Sequence, residues 1–144
     1  MKSRRIDGRY IAIGLVIVIA LICVRALVFT REVSFADAAD VDTGDFASME
    51  LVSEDSGETI ELDTAQRGEV SQELTSLRLR STGRTALFGC YARLYVETDS
   101  AGRFELLLAP DEMMVAHRGG ASRIYGINSG SGLEDCVRGL LSLN

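Results

Sequence analysis

The chain has 144 residues, 47% of them hydrophobic, and a formal net charge of −6. That length holds one ordinary domain plus an anchor. The acidic balance argues against a nucleic-acid partner, whose phosphates need a basic face, and against adhesion of the domain as a whole to anionic lipid.

The charge is divided unevenly. In residues 1–9, Lys2, Arg4, Arg5 and Arg9 stand against Asp7, a net of +3. From residue 31 on, 10 Arg stand against 20 Asp and Glu, a net of −10, and Arg25 supplies the remaining +1. Residues 1–9 read as a basic cytoplasmic tail, because Lys and Arg before an apolar span hold that end inside.

Residues 10–29 are almost wholly apolar. As a helix rising about 1.5 Å per residue they span about 30 Å, the thickness of a hydrocarbon core. This predicts a signal-anchor that crosses the inner membrane once and leaves the C-terminal domain periplasmic or extracellular. Arg25 lies close enough to the end of the run to snorkel to the interface. Two processing alternatives stand beside the anchor. Ala36-Asp37-Ala38 is a small-x-small cleavage site, but it lies well past the run. Cys23 as a lipidated cysteine is disfavoured by the bulky Ile22 before it. The span has no GxxxG for self-pairing.

Residues 30–45 carry acidic side chains and read as a solvated stalk. Asp40, Asp42 and Asp45 resemble the start of a calcium loop. Gly44, however, occupies the third ligand slot, and Leu51 stands where the closing Glu belongs.

From residue 46 to 144 alternation dominates, and period two over many segments predicts half-buried antiparallel strands. Met49, Leu51 and Ser53 share one face; Leu77 and Leu79 alternate with Arg78 and Arg80. Residues 87–98 and 103–109 form a hairpin across Asp99-Ser100-Ala101-Gly102, with Gly102 free to take positive φ. Phe104, Leu106 and Leu108 then face the same core as Leu94 and Val96. Further strands are expected at 113–117 and 122–127. Near the C-terminus, Ser131 and Glu134 form a capping-box pattern, followed by Leu133, Cys136, Val137 and Leu140 at helical spacing.

The stretch LTSLRLRSTGRTALFGCYARLYV resembles the core strand pair of bacterial immunoglobulin-like domains, and LAPDE is similar to their Pro-Gly-Glu turn. The resemblance covers residues 70–118. Asp111 replaces the usual Gly, and the chain has no core Trp. It implies an all-β antiparallel sandwich, here with an N-terminal transmembrane helix and a short C-terminal helix. Such sandwiches host many functions, so function must come from sites.

Few site candidates emerge. Cys90 and Cys136, both on apolar faces, are expected to form a disulfide in an oxidising compartment. Tyr91, Arg93 and Tyr95 alternate on the other face of the long strand, a composition suited to a protein interface. Met113 and His117, a thioether and an imidazole on one strand face, are a candidate copper site. His117 is the lone histidine, and no GxSxG elbow accompanies it. The glycine-rich residues 126–132 match neither GxGxxG nor a phosphate-binding loop. No catalytic constellation and no cofactor are therefore expected. The functional expectation is an anchored envelope protein, an accessory, assembly or scaffold subunit of a membrane complex, whose domain binds a protein partner. The alternative is a metal- or small-ligand-binding module. The absence of Asn-x-Ser/Thr sequons fits a bacterial envelope.

Overall fold

The computed structural model describes residues 8–100, 102–117, 119–128 and 131–142. The chain divides into two units at Arg31/Glu32. In the first, a helix α1 (Gly8–Thr30) is apolar on all sides and long enough to cross a membrane. Its ending is local. Thr30 Oγ1 donates to the Ala26 carbonyl at 2.8 Å, and the Arg25 guanidinium lies 5.5 Å over the Phe29 ring.

The second unit is an antiparallel sheet with helices. In chain order it runs β1 (Glu32–Ser34), α2 (Phe35–Ala39), β2 (Phe46–Ser53), β3 (Thr59–Glu61), α3 (Thr64–Ser76), β4 (Arg78–Ser81), β5 (Ala92–Thr98), β6 (Gly102–Leu108), β7 (Glu112–His117), β8 (Arg123–Ile127) and α4 (Leu133–Ser142). The eight strands form one sheet in the order β1-β4-β8-β7-β6-β5-β2-β3. The expected hairpin is β5–β6, closed at Thr98↔Gly102. Gly102 has φ 78°, the left-handed conformation its position demands.

The expected sandwich does not form from these strands. They lie in one sheet, and helices rather than a second sheet cover its inward face. Leu79, Leu94, Leu106, Leu108 and Met113 from that face are fully buried together with Phe35, Val70, Leu74 and Val137 from the helices. Two helices are missing from the sequence reading, the short α2 within the expected stalk and the longer α3. The apolar content of α3 is thin, with Val70 and Leu74 as its buried residues, so no stripe announces it. Its signal is a capping box: Gln66 N donates to Asp63 Oδ1 at 2.9 Å, and Asp63 N donates to Gln66 Oε1 at 3.0 Å.

The expected acidic stalk is instead part of the domain. β1 pairs with β4 through Glu32↔Arg80 to Ser34↔Arg78. Phe35 is fully buried, its ring 6.5 Å from Phe46 and 6.4 Å from Phe104. The burial of Phe35 and Ala39 outweighs repulsion among the flanking carboxylates, which stay at the surface. Those carboxylates serve local structure. Asp42 accepts from Gly44 N at 3.1 Å, and Asp45 accepts from the backbone N and the hydroxyl of Ser100.

The long strand also starts later than residue 87. Gly89 at φ 70° breaks the extension, and β5 begins at Ala92. Residues 82–91 become a crossover from β4 to β5. Thr82 N donates to the Ile124 carbonyl at 3.1 Å, and Arg84 bridges to Glu112 at 2.9 Å. Thr82 thus extends the β4–β8 ladder, and Arg84 reaches Glu112 on the outward side of β7; Ile124, paired with the outward Met114, is 3% exposed.

Candidate interaction face

The inward face is filled by helices, and the outward face of β2, β5 and β6 stays partly exposed. On β5, Arg93 and Tyr95 alternate outward between the buried Ala92, Leu94 and Val96. Arg93 Nε lies 2.9 Å from Glu54 and 3.2 Å from Glu105. Its Nη1 donates to the Tyr95 hydroxyl at 3.5 Å. That hydrogen bond, with the two carboxylates beside it, holds the guanidinium even more firmly charged than usual. Arg103 on β6 lies 4.7 Å over the Tyr95 ring and 3.7 Å from Glu50. Tyr95 is thus fixed between two guanidinium groups. Val52, Leu107 and Met114, on β2, β6 and β7, share this face and remain half-exposed.

Tyr91 does not belong to this face. It precedes β5, is 5% exposed, and packs under α4 with the Arg138 guanidinium 4.4 Å over its ring. Burial, followed by the nearby Glu134, raises its phenol well above the usual range. Glu134 binds Arg138 at 2.8 Å one turn on in α4. Alternation misplaces Tyr91 because the residues before Ala92 are not strand.

Cys90 and Cys136 are both free. The expected disulfide does not join them: Cys90 lies in the crossover, its Sγ donating to the Ala92 carbonyl at 3.2 Å. Cys136 instead borders a hollow between α3 and α4 with Glu69 and Glu73. Burial raises both thiols above their ordinary range, with Glu54 adding at Cys90 and Glu69 and Glu73 at Cys136.

Met113 and His117 share the inward face of β7, but four residues of strand put them about 13 Å apart. Met113 is fully buried in the core. His117 lies at the strand end with its ring 5.8 Å from Phe104. The two do not converge on one ion. Among the described residues no group of three His, Cys, Asp or Glu is gathered for a metal. His117 does border two shallow hollows. One, of about 350 Å³, includes Tyr95, Arg103 and Glu105. The other, of about 410 Å³, includes Asp37, Asp40 and Arg123.

The fold is similar to that of a candidate lipoprotein from Clostridium perfringens known from its crystal structure. The TM-score is 0.57 at 8% identity, over 76% of this chain and 93% of that one. At that identity the likeness is one of fold alone. No protein-family profile matches the chain, and no curated protein matches it.

Proposed function

We propose that this chain is a single-pass envelope protein whose domain docks on a protein partner, as an accessory, assembly or scaffold subunit of a membrane complex. In this reading α1 crosses the inner membrane, the basic residues 1–9 keep the N-terminus cytoplasmic, and the domain lies on the far side. The likeness in fold to a candidate lipoprotein is in keeping with a domain held at an envelope membrane. The observation that carries partner binding is the outward face of β2, β5 and β6. There Tyr95 is pinned between Arg93 and Arg103 beside half-exposed Leu107 and Val52. Ordered aromatic and Arg side chains bind at small entropic cost, which is why they dominate interface energetics. The test is purification of the tagged full chain from membranes in mild detergent. A stoichiometric membrane protein retained by wild type and lost from Arg93→Ala/Tyr95→Ala supports the reading. Unchanged retention by the double variant removes this face.

A second reading, a small-ligand or metal-binding module, is favoured by His117 alone, at the junction of two hollows lined by both carboxylates and guanidinium groups. Copper(I) titration of wild type against His117→Ala decides it for metal; equal affinities remove the site.

A further inference from the structure

The charges of the acidic domain are sorted along the chain. Residues 74–96 contain Arg78, Arg80, Arg84 and Arg93 and not one Asp or Glu. β4 alternates with Leu79 inward, so Arg78 and Arg80 lie on the outward side, both exposed. Arg84 follows on the crossover. Arg78 makes no ion pair among the described residues, and Arg80 and Arg84 remain 59% and 51% exposed beside their partners. The same crossover presents Phe88, 75% exposed. Among the described residues of the domain it is the one large apolar side chain so exposed. Gly83 at φ 67° and Gly89 at φ 70° bracket the segment that displays it.

The sheet places Glu112, the ion-pair partner of Arg84, on the same row as Glu32, the first residue of the domain. Register pairs Glu32 with Arg80, Arg80 with Gly126, and Gly126 with Glu112. Arg84 reaches Glu112 on that row. At about 4.8 Å between strands, the row from Glu32 to Glu112 covers about 14 Å.

We propose that the β4–β5 crossover, with Phe88 and the outward Arg78 and Arg84, is a bilayer-contacting element that binds anionic lipid headgroups and inserts the Phe88 ring at the interface. This rests on the reading of α1 as a membrane span, which keeps a bilayer within reach. The chemistry favours lipid over protein. Arg78 carries no ion pair among the described residues, and Arg80 and Arg84 stay more than half exposed beside Glu32 and Glu112, so these guanidinium groups can reach phosphates; an exposed aromatic ring on the same crossover as a cation is the side-chain set of interfacial anchors. Net charge conceals this, because the 20 carboxylates from residue 31 on lie outside residues 74–96.

The chain contains no Trp, so Phe88→Trp introduces a single indole fluorophore at an exposed site where the fold is undisturbed. The full-length variant is reconstituted into phosphatidylcholine vesicles with brominated acyl chains, with and without phosphatidylglycerol. Expected are blue-shifted indole emission, quenching of most of it by the brominated lipid, and deeper quenching with phosphatidylglycerol. Adding Arg78→Gln and Arg84→Gln is expected to abolish that last increment. A chain that withstands alkaline carbonate extraction while the indole emits as in water and is quenched by iodide overturns the proposal and leaves the anchor standing. Release of the chain by carbonate removes the anchor, and the proposal with it. Shielding from iodide without quenching by brominated lipid overturns it in favour of a protein surface.

Discussion

The two faces of the sheet are built from the same alternating strands and behave differently. On β5, Ala92, Leu94 and Val96 point inward and are fully buried, while Arg93 and Tyr95, one residue away, remain partly in water. Inward residues make their contacts with helices that arrive from distant stretches of chain. Outward residues make theirs with neighbouring strands, as ion pairs and cation–π contacts. Stability is therefore concentrated on one face, leaving the other free to change without unfolding the domain.

That contrast can be broken most directly at β5 and β6. Leu94→Ala or Leu106→Ala removes a fully buried side chain and is expected to cost about 2–5 kcal/mol. Urea unfolding of the full chain in detergent measures it; Leu107→Ala, on the outward side of β6, should shift the midpoint far less. A smaller effect belongs to the cap of α3. Asp63→Ala loses the bond to Gln66 N and should destabilise by about 1 kcal/mol, with the same unfolding curve as readout. Arg93→Ala breaks ion pairs that are about a third exposed. Stability should fall by no more than about 1 kcal/mol, so a loss of partner binding in that variant reports the face and not the fold. The smallest effect is kinetic. Because burial raises Cys90 and Cys136, a smaller fraction of each is thiolate at mildly alkaline pH than in an ordinary cysteine. Alkylation by iodoacetamide should be slower in the native chain than in denaturant, and should rise as pH passes the ordinary thiol range. Equal rates would show that the thiols are not desolvated.

Legibility in the sequence follows the physics of each segment. β4, β6, β7 and β8 and the helix α4 are readable because their apolar residues recur with the period of the element they form. Residues 32–45 mislead because conspicuous charge hides the few residues that matter. Phe35 and Ala39 are fully buried, while the carboxylates around them stay at the surface. Of Tyr91, Arg93 and Tyr95, alternation places Arg93 and Tyr95 on the outward face, where they lie, but misplaces the buried Tyr91, since alternation holds only where the chain is strand. Alternation also puts Phe88 on the apolar face of the long strand. It is exposed because Gly89 ends the extension before it can pair.

By itself the sequence determined the apolar helix, most of the antiparallel strands and which side of those strands turns inward. These depend on local period, hydrophobicity and turn chemistry, all of which are read within about a dozen residues. Tertiary structure decided what covers the inward face, whether two cysteines meet, and whether a histidine and a methionine on one strand share a site. Those outcomes depend on how segments far apart in the chain pack, as in Glu32 with Arg80, 48 residues on, and Ser48 with Glu97, 49 residues on. Apolar alternation is equally satisfied by a second sheet or by helices, and here α2, α3 and α4 fill that place with Phe35, Val70, Leu74 and Val137.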